Sequence, residues 1–599
     1  MTVTTPDSAA VRDSPPFDSP HLADPAQPIL ERVRPHRRFG SRAAAALLTV
    51  LALVLIVGTV AFASFDPASP SVLLRYAPSE SIAYAELRLD LPGDQREQVL
   101  AFMAHFPGFS DAGAVEQRIA EAFDEAASES GEELAWERDV KPWFGGQLAV
   151  IIPSPGEDDG EDDRPRSRWV IGLSVKDRAA AEKLIAQHAS TSGRESDEHR
   201  GATVWTGNGG RRPALALTDD ALLLSERLAD LHKALDVAAG ERPGLADDER
   251  FSDPIGNLQP DRLATFYLDG EAVAELADDR MAALEMAAEP YAGLLGGRTV
   301  AELRAEGDHL VLLARMRPGP EAPPLPSNRM TELASYMPPD SAVYFETRDT
   351  GAGIKRSLTT FLERAGGMDA DDGFEPQIET MLGMPVEDYL DFLDDAAVAV
   401  SFGGGQPSGG LVATVTDDLV ARQRLERLVG LLRTAVAFET LPIIIEEEQH
   451  ADTTITFIRP RDDSDTGDSD MEDYPMGAPE LSFPGIDRLP SIGFAFTDDG
   501  LLLVGVDDFV RDALDRESDG LAATDSYRTA LEAGGSENAG VAYLDLAALR
   551  QLMEKDMDER ERVRYEREIQ PYLAPFTRVV SVTVREGDEL VSRTLVYVE

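Results

Sequence analysis

Residues 215–225 read LALTDDALLLS, and residues 494–504 read FAFTDDGLLLV. Each stretch places two apolar runs around a Thr-Asp-Asp turn. Asp-Gly is a favoured pair for a two-residue hairpin loop that needs positive φ. Asp219, Asp220, Asp498 and Asp499 are therefore expected in tight turns of β-hairpins, with catalysis or metal binding as the competing reading.

Other segments recur in the same order. YAPSESIAY at 76–84 returns as YMPPDSAVY at 336–344, and SVKD ending at Asp177 returns as TVTD ending at Asp417. FYLDGEAV at 266 is echoed by AYLDLAAL at 542, and EGDHLV at 306 by EGDELV at 586. Ordered matches with drifting offsets describe an internal duplication with loop insertions. The sequence divides into a disordered tail at 1–42, an apolar segment at 43–64, a first repeat at 70–317, a Pro-rich linker at 318–328 and a second repeat at 329–599. The linker, within PGPEAPPLPS, is expected to act as a semi-rigid extended spacer.

Periodicity and breakers give one element order for both repeats. A strand around SIAYAELRL leads to a helical region containing the amphipathic AVEQRIAEAFDEAA. The buried strand QLAVII, matched by AAVAVSF, precedes a second strand and a helix with Asp177 or Asp417 as N-cap, since aspartate accepts the free N–H groups there. Three short strands, another helix, the FYLD strand and a final hairpin complete each repeat. The fold class this predicts is α+β, internally duplicated, with mainly antiparallel sheets and helices covering one face.

AAAALLTVLALVLIVGTVAFA at 43–63 is uncharged and apolar. As a helix rising about 1.5 Å per residue it would span roughly the 30 Å of a bilayer's hydrocarbon core. Arg32, Arg34, Arg37, Arg38 and Arg42 precede it, and no basic residue follows before Arg75. The positive-inside rule then places the tail in the cytoplasm and the bulk of the chain outside, at the cell membrane. A cleaved signal peptide is the rival, on Ala61-Phe62-Ala63. The length of the apolar run and of its leader favours an uncleaved signal-anchor.

The chain of 599 residues carries 109 acidic and 56 basic residues, a net charge of -53. That charge would repel phosphate backbones, so no nucleic-acid partner is expected. The absence of cysteine removes disulfides, thiolate metal sites and cysteine nucleophiles. The histidines never fall at i, i+4 spacing, and no Gly-x-Ser-x-Gly occurs. His199 and His450 precede matching strands and read as a shared structural position. GGGQPSGG at 403–410 reads as a flexible connector. The acidic stretches GEDDGEDD at 156–163 and RDDSDTGDSDMEDY at 461–474 read as solvated loops, with weak Ca²⁺ binding left open. Counted from Asp463 as an EF-hand loop, glycine falls fifth and Asp468 sixth, where glycine is required. Trp143 and Phe144 in VKPWFGGQ are expected to close the end of a core rather than form a contact surface. No catalytic, cofactor-binding or metal residue is assigned, and no cofactor. The expected partners are the membrane, through 43–64, and an unknown extracytoplasmic protein or ligand.

LLRYAPSESIAYAELRLD at 73–90, PWFGGQLAVIIP at 142–153 and TFYLDGEAV at 265–273, following an apolar anchor, resemble the bacterial membrane-anchored family called domain of unknown function 3352. The resemblance implies placement and fold, and brings no catalytic residues with it. The leading expectation is a non-catalytic, membrane-tethered extracytoplasmic binding or envelope-associated protein. A carrier for a hydrophobic ligand, needing a continuous apolar pocket, and a hydrolase without a linear motif are the alternatives.

Overall fold

Why the apolar runs at 221–225 and 501–506 are continuous rather than alternating is answered by the sheet they join. Leu223 points into one core while Leu222 and Leu224 point into another on the opposite face. A strand buried on both faces needs apolar residues throughout. The computed structural model describes residues 71–154, 168–276, 297–319, 324–351, 388–403, 408–437, 443–461 and 490–599, less a few short gaps within them, and a few isolated residues besides. The tail, the apolar segment 43–64 and nearly all of both acidic stretches lie outside the described residues.

In the first half, β1 (Ser81–Arg88), β2 (Phe144–Pro153), β3 (Val170–Val175), β4 (Glu195–His199) and β5 (Ala202–Thr206) are followed by β6 (Ala214–Leu217), β7 (Ala221–Ser225), β8 (Ala264–Asp269), β9 (Arg298–Glu306) and β10 (His309–Arg317). Antiparallel pairing sets them side by side as β4-β5-β6-β7-β3-β2-β1-β8-β9-β10. The second half contributes β11 (Ser341–Thr347), β12 (Leu393–Ser401), β13 (Ser408–Val415), β14 (Ile443–His450) and β15 (Thr453–Pro460). Then come β16 (Ile492–Phe496), β17 (Leu501–Val506), β18 (Gly540–Asp545), β19 (Phe576–Glu586) and β20 (Glu589–Val598). Their lateral order repeats that of the first half strand for strand.

β10 pairs antiparallel with β20, from His309 opposite Tyr597 to Met316 opposite Leu590. The two halves thus join edge to edge into one sheet of 20 strands. The outer edges are β4, whose ESDEH is almost wholly exposed, and β14, which carries Glu446, Glu447 and Glu448. The architecture is mixed helix and antiparallel sheet, an α+β fold.

Helices cover both faces, not one as expected. Those named here are α1 (Gln95–Met103), α2 (Ala112–Ser130), α3 (Arg178–Ser192), α4 (Leu228–Ala238) and α5 (Glu249–Gly256) in the first half. The second half adds α6 (Asp418–Ala437), α7 (Phe509–Asp515) and α8 (Asp525–Gly534). On one face α4 (Leu231, Leu235) and α5 (Phe251) pack on Tyr84, Ile151 and Tyr267, while α7 and α8 pack on Tyr344 and Phe457. On the other, α3 buries Ala181 and Ile185 against Trp143 and Phe144, and α6 buries Ala421 against Phe392. Phe102 of α1 and the following Phe106 reach across to Phe576 of the second half, with ring centroids 6.5 and 5.2 Å away.

Between the α3 or α6 helix and its repeat's next helix there are four strands, not three, because β4 and β5 form a hairpin of their own ahead of β6 and β7. Asp177 and Asp417 cap as expected, each accepting from the backbone N–H three residues on at 3.0 Å. GGGQPSGG is not connector throughout. Ser408, Gly409 and Gly410 open β13, and a Cβ on Gly410 would lie 2.4 Å from the Phe509 ring, so the glycine admits that close packing. In the linker, Asn328 exchanges side-chain hydrogen bonds with the Arg585 backbone, and Leu325 accepts from the Arg585 guanidinium.

Candidate functional site

The Thr-Asp-Asp acids are clasps. Asp220 Oδ1 accepts from Tyr76 Oη at 2.7 Å and from Arg75, and Asp219 pairs with Arg178 of α3. The turn is thereby tied to the chain entry and to the neighbouring helix. Burial first, with the adjacent Asp220 adding, pushes the Tyr76 hydroxyl up to about 12. In the second copy Asp498 faces Arg422 of α6 at 3.9 Å. The two loops differ from the expected form. Thr218 and Ala221 bracket two central aspartates, neither at positive φ, whereas Asp498, Asp499 and Gly500 make a longer loop with Gly500 at φ 78°. The extra residue in the left-handed region is the three-residue hairpin solution. Gly307 and Gly587, at φ 68° and 65°, close two-residue hairpins whose first central residue takes the positive φ.

His199 Nε2 lies 3.1 Å from Asp236 Oδ1, and His450 Nε2 lies 2.7 Å from Asp515 Oδ1. Both histidines link a hairpin to the end of a helix, at corresponding places in the two halves. His232 stacks on His199 at 4.0 Å, and its burial, reinforced by His199, lowers its pKa. Trp143 and Phe144 are buried, as expected for residues closing a core.

A duplicated polar motif was missed. Tyr84, Glu86 and Arg88 in YAELR recur as Tyr344, Glu346 and Arg348 in YFETR. The two tyrosines already close the match of 76–84 with 336–344 at an offset of 260, so extending that match by four residues would have revealed the glutamates and arginines. Tyr84 donates to Glu86 at 2.9 Å, and Tyr344 to Glu346 at 2.6 Å. The arginines then diverge. Arg88 is held by both oxygens of Asp90 at 2.7 Å, leaving Glu86 Oε1 buried without a hydrogen-bond partner. Position 350 is threonine, and Arg348 turns to Glu346 at 2.7 Å. Burial raises the Glu86 pKa. With Glu86 5% and Glu346 3% exposed, both networks sit inside the protein, closed to a substrate.

A second polar array, open to solvent only in part, lies at the seam. Antiparallel partners share a face, so one transverse row runs Glu86, Thr265, Glu302, Leu313, Arg593, Val582, Val541, Glu346. Alternate residues of β9, β10, β20 and β19 therefore share this face, which carries six arginines (Arg298, Arg304, Arg315, Arg317, Arg578, Arg593) against four glutamates (Glu302, Glu306, Glu586, Glu589). Helix α5 packs on β9 and α8 on β19, flanking the seam. At one end a cleft is lined by Arg250 of α5, Arg298 of β9, Arg315 and Arg317 of β10, and Glu589 of β20. Arg317 reaches Glu589 at 2.8 Å, and Arg315 reaches Glu586 and Glu589 at 3.0 and 3.4 Å. Arg315 Nε is buried without a hydrogen-bond partner. Nothing in the local pattern of these strands announced the face, because it exists only once β10 meets β20.

Fold and seam together define an internally repeated, antiparallel α+β protein with an arginine-lined junction. The sequence model of the family described as "Protein of unknown function (DUF3352)" matches residues 43–365, more than half of the chain, and the chain belongs to that family. No curated protein matches it. Among solved structures, crystal forms I and III of TP0453 are similar at 12% identity. They cover 44% and 43% of this chain and 82% of theirs, each with a TM-score of 0.23, too loose a likeness to bear on fold or function. No helix among the described residues is long and apolar enough to cross a membrane.

Proposed function

We propose that the chain is a non-catalytic, extracytoplasmic binding protein held at the cell membrane by residues 43–64, and that the seam is its binding face. The observation that supports this is the concentration of arginine on that face, six arginines to four glutamates among the strand residues of the seam, in a chain of net charge -53. A binding surface is read from such a local departure in charge. The apolar run and the five arginines before it support the tether. The carrier reading finds less support, since the seam cleft is lined by charged side chains, and the hydrolase reading loses the buried glutamates for want of access.

Placement is tested by single cysteines in this cysteine-free chain, Ser14→Cys in the tail and Ser536→Cys on an exposed loop. A membrane-impermeant maleimide applied to intact cells is expected to label S536C and spare S14C. Labelling of S14C alone would remove the reading.

A further inference from the structure

We propose that the seam cleft binds phosphate, taking the phosphate group of a ligand that is either soluble or a lipid headgroup. This rests on the reading of the chain as a binding protein. Four guanidinium groups from three elements converge there: Arg250 from α5, Arg298 from β9, and Arg315 and Arg317 from β10. Each guanidinium has five N–H donors in a fixed fork that matches phosphate oxygens. Carboxylates use only some of them. Arg250 is paired with Asp248 through Nε and Nη2, Arg298 with Asp269 at 3.4 Å and Glu271 at 3.6 Å, and Arg317 Nε with Asp588 at 3.6 Å, while the buried Arg315 Nε has no hydrogen-bond partner.

Glu589 is the acid within the cleft lining, bridging Arg315 and Arg317. Its carboxylate occupies the place an anion would take. Phosphate, with more charge and more acceptor oxygens than a carboxylate, competes for that place.

The cleft is no by-product of the duplication. At the offset of 280 that relates the two EGD turns, Arg315 and Arg317 correspond to Leu595 and Tyr597. GLA at 244–246 and at 520–522, each preceding a short helix, sets an offset of 276, by which Arg250 corresponds to Ser526. Only Arg298 has an arginine counterpart, Arg578. Three of the four cations are thus particular to one end of the seam.

The test is calorimetric titration of inorganic phosphate into the full chain in neutral detergent, at ionic strength held constant with sodium chloride. Phosphate is expected to bind, and Arg315→Gln with Arg317→Gln to weaken it by about tenfold or more, the loss of charge-assisted hydrogen bonds. Glu589→Gln is expected to tighten binding by at least about threefold, since it removes the internal competitor. Misfolding cannot mimic that gain. No phosphate binding, or no tightening in E589Q, overturns the proposal.

Soluble short-chain phosphatidic acid separates the sources. Binding about tenfold tighter than inorganic phosphate assigns a lipid headgroup, and equal binding assigns a soluble ligand. Absence of phosphate binding alongside outside labelling of S536C would discard this ligand class and keep the placement.

Discussion

Leu313 and Arg593 face one another across the β10–β20 pair, and each is the other's counterpart in the duplication. A pseudo-two-fold axis therefore passes between them, and the pairing is isologous, like that of a symmetric dimer. Leu313 packs against the first-half core, while the Arg593 side chain is 38% exposed. Leu313→Arg would set two guanidinium groups opposite each other and surrender apolar burial, at a cost of about 2 kcal/mol. Arg593→Leu should stay within about 1 kcal/mol of the parent. Urea unfolding followed by tryptophan fluorescence checks both. Equal losses would mean that the pairing does not depend on what crosses the axis.

Glu86 and Glu346 should respond to the same substitution with opposite signs. Burial raises the Glu86 pKa above the ordinary value of 4.5, so over the window above 4.5 the folded chain keeps a proton the unfolded chain has released. Stability then falls as pH rises through that window, and the cost is fully present above the folded pKa. Glu86→Gln should accordingly be more stable than the parent at neutral pH and equal to it below about pH 4.

Glu346→Gln removes the carboxylate partner of Arg348, whose side chain is 1% exposed. An uncompensated buried cation costs about 3–5 kcal/mol. Thermal melts of the two variants across pH make the comparison, and a shared sign would refute the distinct roles assigned to Asp90 and Thr350.

Gly500→Ala should cost about 1–2 kcal/mol, from a left-handed φ of 78° and a Cβ placed 2.8 Å from Asp418 Oδ1. A urea midpoint unchanged from the parent would mean that the loop relaxes without loss.

The β4–β5 hairpin should loosen in mild acid. Burial and the stacked His199 depress the His232 pKa below 6.5, with Asp236 and Asp197 opposing them. The stability tied to neutral His232 is present above pH 6.5 and is lost as pH falls through the depressed value. Hydrogen exchange of residues 195–206, corrected for intrinsic rates, should show weaker protection near pH 5.5 than at about 7.5. His232→Asn should flatten that dependence.

Turn chemistry and capping residues are local, and so the recurrence of the repeat, the N-caps at Asp177 and Asp417 and the tight turns at 307 and 587 were legible in the sequence, while one strand of each repeat's four-strand run was not. Placing helices on one face was an error the sequence could have prevented. ALLLS at 221–225 and LLLVGV at 501–506 do not alternate, and unbroken apolar strands need cover on both sides. The seam was not legible. His309 and Tyr597 are brought together by sheet register across the whole second half, and no window of sequence contains both. The arginine cleft depends on that register too, as does the companionship of Glu589 with Arg315.

A ribbon of twenty strands still has two ends, and what stands there decides whether the ribbon stops. Unpaired amide and carbonyl groups invite another chain to continue the ladder. At one end Glu195, Asp197 and Glu198 stand almost wholly in solvent, and at the other Glu446, Glu447 and Glu448 follow Ile443, Ile444 and Ile445. A second molecule approaching either end meets carboxylates of its own sign, whichever end it presents. The edges β10 and β20 have already spent their hydrogen bonds on each other, so the ladder is left open only at two ends that carry carboxylates.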